Sequence, residues 1–112
     1  MLDLMRQNIH LNALNDLAEA SIYDWGGNTP ANMPQHPDVV LAADCVYFEP
    51  AFQLLHQTLM DIIGPRTICY FCFKKRRRAD MNFIKIIKKS FEVLGVEDDP
   101  DQEVYRRESI FL

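Results

Sequence analysis

The sequence predicts an α/β fold on a mostly parallel sheet that ends in an antiparallel strand pair. Three observations carry that prediction. Apolar strand-like runs alternate with helix-length amphipathic segments, the pattern of β-α-β units. The run Pro37-Asp-Val-Val-Leu-Ala-Ala-Asp-Cys-Val-Tyr47 is continuously apolar before its polar break, as in a strand covered on both faces. The last two strand candidates lie close together across a short acidic turn, which suits a hairpin rather than a crossover.

Taken in order, Leu2, Met5, Ile9 and Ala13 recur at helical spacing, with Arg6, Gln7 and His10 between them, so the chain opens on a helix. Asn12 to Asn15 is its stop. Ala18 to Tyr23 is a short strand candidate, ended by Asp24-Trp25-Gly26-Gly27. From Gly26 to Pro37 the turn-forming Asn28, Pro30, Asn32 and Pro34 predict a loop. The strand from Pro37 to Ala43 follows. Phe48 to Ile63 is an amphipathic helix with Phe52, Leu55, Leu59 and Ile62 or Ile63 along one side, closed by Gly64-Pro65. Thr67 to Phe73, dense in β-branched and aromatic residues, is a second buried strand. Arg76 to Ser90 is helical with Phe83, Ile84 and Ile87 inward. Phe91 to Val96 and Val104 to Leu112 are the closing strands, joined by the acidic turn Asp98 to Asp101.

Composition bounds the class. A chain of 112 residues allows one domain, and 48% apolar with 11% aromatic residues is a globular balance. The net charge of −4 gives no global drive toward nucleic acid. No apolar run of about 18 residues occurs, so no membrane span is expected. Cys45, Cys69 and Cys72 are odd in number and lie in apolar surroundings, which suits a reducing, cytoplasmic setting. Cys69-Tyr-Phe-Cys72 within a strand puts its two sulfurs on opposite faces, so these read as free thiols and no metal site is expected.

The chemistry concentrates at the end of the Pro37–Ala43 strand. In open α/β sheets, ligands bind outside the C-terminal strand ends. An Asp44 and a Tyr47 three apart there can meet one small group. No Gly-x-Gly phosphate loop lies upstream of this strand. The basic run Lys74 to Arg78, followed by Lys85, Lys88 and Lys89, leaves three readings open: a solvated face, a surface that greets an acidic protein, or a nucleic-acid patch.

Several ordered motifs resemble the family-16 class I protein-lysine methyltransferases. Asp44-Cys-Val-Tyr47 is similar to that family's Asp-x-x-Tyr after its fourth strand, and Trp25-Gly26 to its Trp-Gly element. Leu4-Met-x-x-Asn-Ile-x-Leu-Asn12 resembles the helix after its second strand. The stretch from Val39 to Phe52, with Lys74-Lys-Arg-Arg-Arg-Ala-Asp80, most resembles fungal elongation-factor lysine methyltransferases. The resemblance implies a Rossmann-like class I methyltransferase sheet with S-adenosyl-L-methionine as cofactor. The implied substrate is a protein, translation elongation factor 1-alpha; the absence of a long apolar run and the acidic net charge argue against membrane and nucleic acid as partners. It also implies that residues 1–112 are the C-terminal part of one such domain, N-terminally truncated, with the first strands and the Gly-rich cofactor loop absent. The edge of the Pro37–Ala43 strand is then exposed, and the chain by itself is expected to be marginally stable or aggregated and to bind cofactor negligibly.

The resemblance also assigns roles. Trp25 would line the adenine region, although it equally suits a plug at a core edge. Asp24 either bonds the adenine amino group or caps the turn. Ala43 gains cofactor contact only through the resemblance. Asp44 either caps the following helix or orients the substrate lysine. Methyl transfer needs a neutral amine in line with the sulfonium methyl, and the ordinary lysine pKa of about 10.4 opposes that. Positioning alone can lower such a barrier by about 7–11 kcal/mol. Tyr47 would offer its π face or hydroxyl to the same ammonium, or would pack on the core as a helix-start aromatic. The alternative for the whole chain is an inactive fragment or interaction module without cofactor binding.

Overall fold

The computed structural model describes residues 1–112. Helix α1 spans Leu2–Leu11 and stops at Asn12, whose side-chain amide donates to the Asn8 carbonyl at 2.8 Å. It buries no residue, and Leu4, Met5 and Leu11 remain exposed.

The sheet has three strands in the order β1-β2-β3. Strand β1 (Val39–Ala43) runs parallel to β2 (Ile68–Lys74), with Val40 opposite Cys69 and Ala42 opposite Phe71. Strand β3 (Ile110–Phe111) is antiparallel to β2, pairing Phe111 with Phe73. Those two rings stack at 5.3 Å. The fold is therefore the expected mixed α/β sheet with an antiparallel end.

A short 3₁₀ turn, Glu49–Ala51, leads into α2 (Phe52–Ile62), which connects the parallel strands. The expected inward residues Phe52, Leu55, Leu59 and Ile62 are all buried. Helix α3 (Asp80–Ile87) buries Phe83 and Ile87 on the same side. Together with Val46 and Phe73 these residues form the core. Phe83 sits at its centre, edge-on to Phe52 at 5.4 Å and stacked on Phe71 at 5.5 Å. At the N-terminal end of the sheet, the Thr67 hydroxyl donates to the Pro37 carbonyl at 2.7 Å and accepts from the Gly64 N–H at 3.0 Å. The two strand starts are stitched there.

Four sequence expectations are corrected. Ala18 to Tyr23 forms no strand: no other strand lies beside it, and a strand is defined by its ladder. Its side-chain links across the loop are polar, Asn32 Nδ2 donating to Glu19 and Ser21 at 2.6 Å and the Tyr23 hydroxyl meeting that of Thr29 at 3.4 Å. The Pro37–Ala43 strand is covered on one face only, since Val39 and Leu41 are 51% and 78% exposed. Phe91 to Val96 is also irregular, with a single rung from the Val96 N–H to the Leu112 carbonyl. Of Val104 to Leu112, the first part is helical, within α4 (Gln102–Arg107). Glu103 lies in the first turn of α4, and Arg106 and Arg107 in the last, so side-chain charge opposes the helix dipole at each end. The antiparallel partner of the last strand is thus β2, not the Phe91–Val96 segment.

Candidate functional site

The site is the C-terminal end of the two parallel strands. The Asp44 N–H donates to the Cys72 carbonyl at 2.9 Å, closing the last rung beyond Ala43. Asp44 then adopts φ 54°, the left-handed region that Asp tolerates better than most residues, and the chain leaves the sheet. Two residues later Val46 is fully buried, which anchors the far side of the loop. Asp44 and Tyr47 are left exposed between and beside these anchors, at the strand end where the sequence places them.

The Asp44 carboxylate is held by Arg76 in a two-pronged pair, Nη1 to Oδ1 at 2.9 Å and Nη2 to Oδ2 at 3.1 Å. These hydrogen bonds keep its carboxyl below the ordinary carboxylate range. Arg76 is placed from below. The wholly buried Asp80 accepts the backbone N–H groups of Arg76 and Arg77, each at 2.9 Å, and the Arg77 guanidinium at 3.0 Å. Burial pushes the Asp80 carboxyl up, but those donors and the Arg77 charge together hold it low. Arg77 Nη2 also donates to the Tyr47 carbonyl at 2.7 Å. One buried acid therefore fixes both arginines, and each arginine grips the Asp44–Tyr47 loop.

The basic run is accordingly not a free face. Lys74 pairs with Glu108 at 3.3 Å, Arg76 with Asp44 and Arg77 with Asp80, leaving Lys75 and Arg78 without ion-pair partners. Sequence reasoning missed this network. The signal was present, as an acid three and four residues after two arginines at a helix start, the spacing at which side chains meet.

Trp25 stands half-buried against the core, its ring 6.4 Å from that of Tyr47 and tilted by 56°. Its loop is pinned to α2: the Gly26 N–H donates to the Thr58 hydroxyl at 2.8 Å. Gly26 has φ 76°, so the backbone there favours glycine, while a Cβ would meet only the movable end of the exposed Leu54 side chain at 2.8 Å. Ala43 is small and exposed at the strand end. Asp24 is exposed, with its carbonyl accepting the Gly27 N–H at 2.9 Å as in a turn. Cys45, Cys69 and Cys72 are free thiols, and burial pushes those of Cys45 and Cys69 up, for Cys45 with help from the Asp44 charge. No helix is long and apolar enough to cross a membrane.

A mixed α/β sheet with an acid and two aromatics at its C-terminal end is consistent with a Rossmann-like class I methyltransferase core. Residues 1–90 match the lysine methyltransferase family model, so the chain belongs to the family-16 lysine methyltransferases. That family uses S-adenosylmethionine as its methyl donor. The chain is 38% identical over its full length to protein-lysine N-methyltransferase EFM6 of Saccharomyces cerevisiae, covering 50% of that protein. It is 31% identical over 94% of its length to EEF1A lysine methyltransferase 3 of Mus musculus, covering 47% of it. Protein N-lysine methyltransferase METTL21A of the same organism is 27% identical over 93% of the chain and 49% of that protein. The chain thus spans about half the length of the curated relatives it matches.

Proposed function

We propose that residues 1–112 form the C-terminal, substrate-facing part of one S-adenosylmethionine-dependent protein-lysine N-methyltransferase domain, acting in the cytoplasm on translation elongation factor 1-alpha. The observation that carries this reading is Asp44, ionised and held off the end of β1 beside Tyr47. Supporting it are the family match and relatives whose names include an EEF1A lysine methyltransferase.

The residues present suit one side of the cofactor. S-adenosylmethionine carries an aromatic base and a sulfonium cation, and when bound it supplies an electrophilic methyl group. Trp25 offers a half-buried aromatic face for the base, and Ala43 leaves the backbone open to close approach. Asp44 orients the substrate ammonium, and Tyr47 presents its exposed ring and hydroxyl to it. A carboxyl whose pKa is held low is a weak proton acceptor, so Asp44 acts by charge and orientation rather than as a strong base.

Labelled methyl transfer to purified elongation factor 1-alpha tests the reading. The chain joined behind the N-terminal half of the Saccharomyces cerevisiae relative is expected to transfer, and Asp44→Ala in that protein to reduce turnover at least about a hundredfold with cofactor affinity nearly unchanged. Undiminished turnover in Asp44→Ala would remove the assignment. A second reading, an interaction module without cofactor binding, draws on the bare face of β1. Calorimetric titration of the 112-residue chain with S-adenosylmethionine addresses the fragment directly. Negligible heat is expected, and saturable micromolar binding by a monomer would show that these residues suffice.

A further inference from the structure

Surface ion pairs usually have loose geometry and contribute little. The Asp44–Arg76 pair differs in how it is built. Arg76 is fixed at its own backbone N–H by the fully buried Asp80, and its neighbour Arg77 is tied to the same carboxylate and to the Tyr47 carbonyl. The guanidinium then meets both oxygens of Asp44 in the fork geometry that arginine and carboxylate share. A lysine ammonium drawn to Asp44 seeks those same oxygens. At this exposed edge the guanidinium already occupies both oxygens, and a second cation beside it adds a repulsion of about 1 kcal/mol.

We propose that Arg76 is the resident cation of the Asp44 carboxylate, and that a substrate lysine engages Asp44 by displacing the Arg76 guanidinium. The inference rests on the lysine-methyltransferase reading, for which it makes Arg76 a specificity-determining residue. It sets how strongly a bare ammonium can bind, and so how much of the affinity must come from the rest of the substrate. The half-exposed Arg76 side chain can swing into solvent while its backbone stays on Asp80.

The test uses n-butylammonium, the lysine side chain alone, titrated into the isotopically labelled 112-residue chain with the Asp44 and Cys45 amide signals followed. Arg76→Gln, which keeps the backbone anchor, is expected to bind it roughly two- to fivefold more tightly than wild type. Arg76→Lys falls between them, and Asp44→Asn shows no saturable shift. An Arg76→Gln affinity equal to or below that of wild type overturns the proposal, as does an absence of shifts in every variant. The spectra report directly whether each variant is folded. Neither cofactor nor turnover enters the measurement, so displacement and methyl transfer stand or fall separately.

Discussion

The two faces of the β1–β2 sheet have nearly the same composition and opposite fates. Val40, Cys69, Phe71 and Phe73 pack against α2 and α3, where Phe83 and Phe73 are almost or wholly removed from solvent. Val39, Leu41, Ile68 and Tyr70, on the alternate positions of the same strands, are about half exposed or more. The difference teaches that apolar character on both sides of a strand records what the strand is suited to, not what covers it. Two helices supply cover to one face. The strand ends follow a third logic, in which polar bonds through Asp80 replace apolar contact.

The largest expected effect breaks the comparison most directly. Phe83→Ala removes a wholly buried ring that contacts Phe52 and Phe71, and should lower unfolding free energy by about 3–5 kcal/mol. Leu41→Ala, at 78% exposure, should change it by less than about 0.5 kcal/mol. Urea unfolding followed by far-ultraviolet dichroism gives both numbers. Similar losses at the two positions would mean that the bare face is covered in solution.

The polar strand ends come next. Asp80→Asn keeps the shape but weakens three hydrogen bonds to a charged acceptor, and should destabilise by roughly 2–3 kcal/mol at neutral pH. The Asp80 carboxyl titrates below its ordinary 3.8 in the folded chain. A depressed carboxyl pKa contributes stability in full above the unfolded value, and loses it as pH falls through the folded value. The gap in urea midpoint between wild type and Asp80→Asn should therefore stay constant from neutrality to about pH 4 and shrink below that. A gap that widens on acidification would contradict the assignment of Asp80 as the ionised anchor.

Much of this was legible from residue order. Helical spacing placed α1 and the buried stripe of α2, and the apolar runs placed β1 and β2, because local periodicity and the final burial agree there. Ala18–Tyr23 and Phe91–Val96 were misread for one reason. Strand propensity is a statement about a neighbour, and local sequence does not say whether the neighbour is beside it. Val104–Leu112 failed differently: Gln102-Glu-Val-Tyr-Arg-Arg107 carries end charges that favour a helix over a strand. At the site, Asp44, Tyr47, Trp25 and Ala43 were singled out by the strand-end rule and by motif, and the structure brings Trp25 to Tyr47. The Asp44–Arg76 pair was read as part of a charge run because pairing across 32 residues leaves no local trace, whereas Asp80 stood within local reach of both arginines.

The smallest effect on stability carries the largest expected change in behaviour. Strand β1 lies at the edge of the sheet, so its outer backbone groups have no ladder partner, and the side chains beside them are Val39 and Leu41. An open edge flanked by apolar side chains is a template for pairing with another chain. Leu41→Lys places a charge on that surface without touching the core, so the unfolding free energy should move by less than about 0.5 kcal/mol. Light scattering at matched concentration should nevertheless fall severalfold, because edge-to-edge association then juxtaposes like charges. Phe83→Ala should move the two readings the other way, with a large loss of stability and more scattering. If Leu41→Lys leaves scattering unchanged, the β1 edge is not where copies of the chain meet. The bare face of α1, with Leu4, Met5 and Leu11 exposed, is then the next surface to charge.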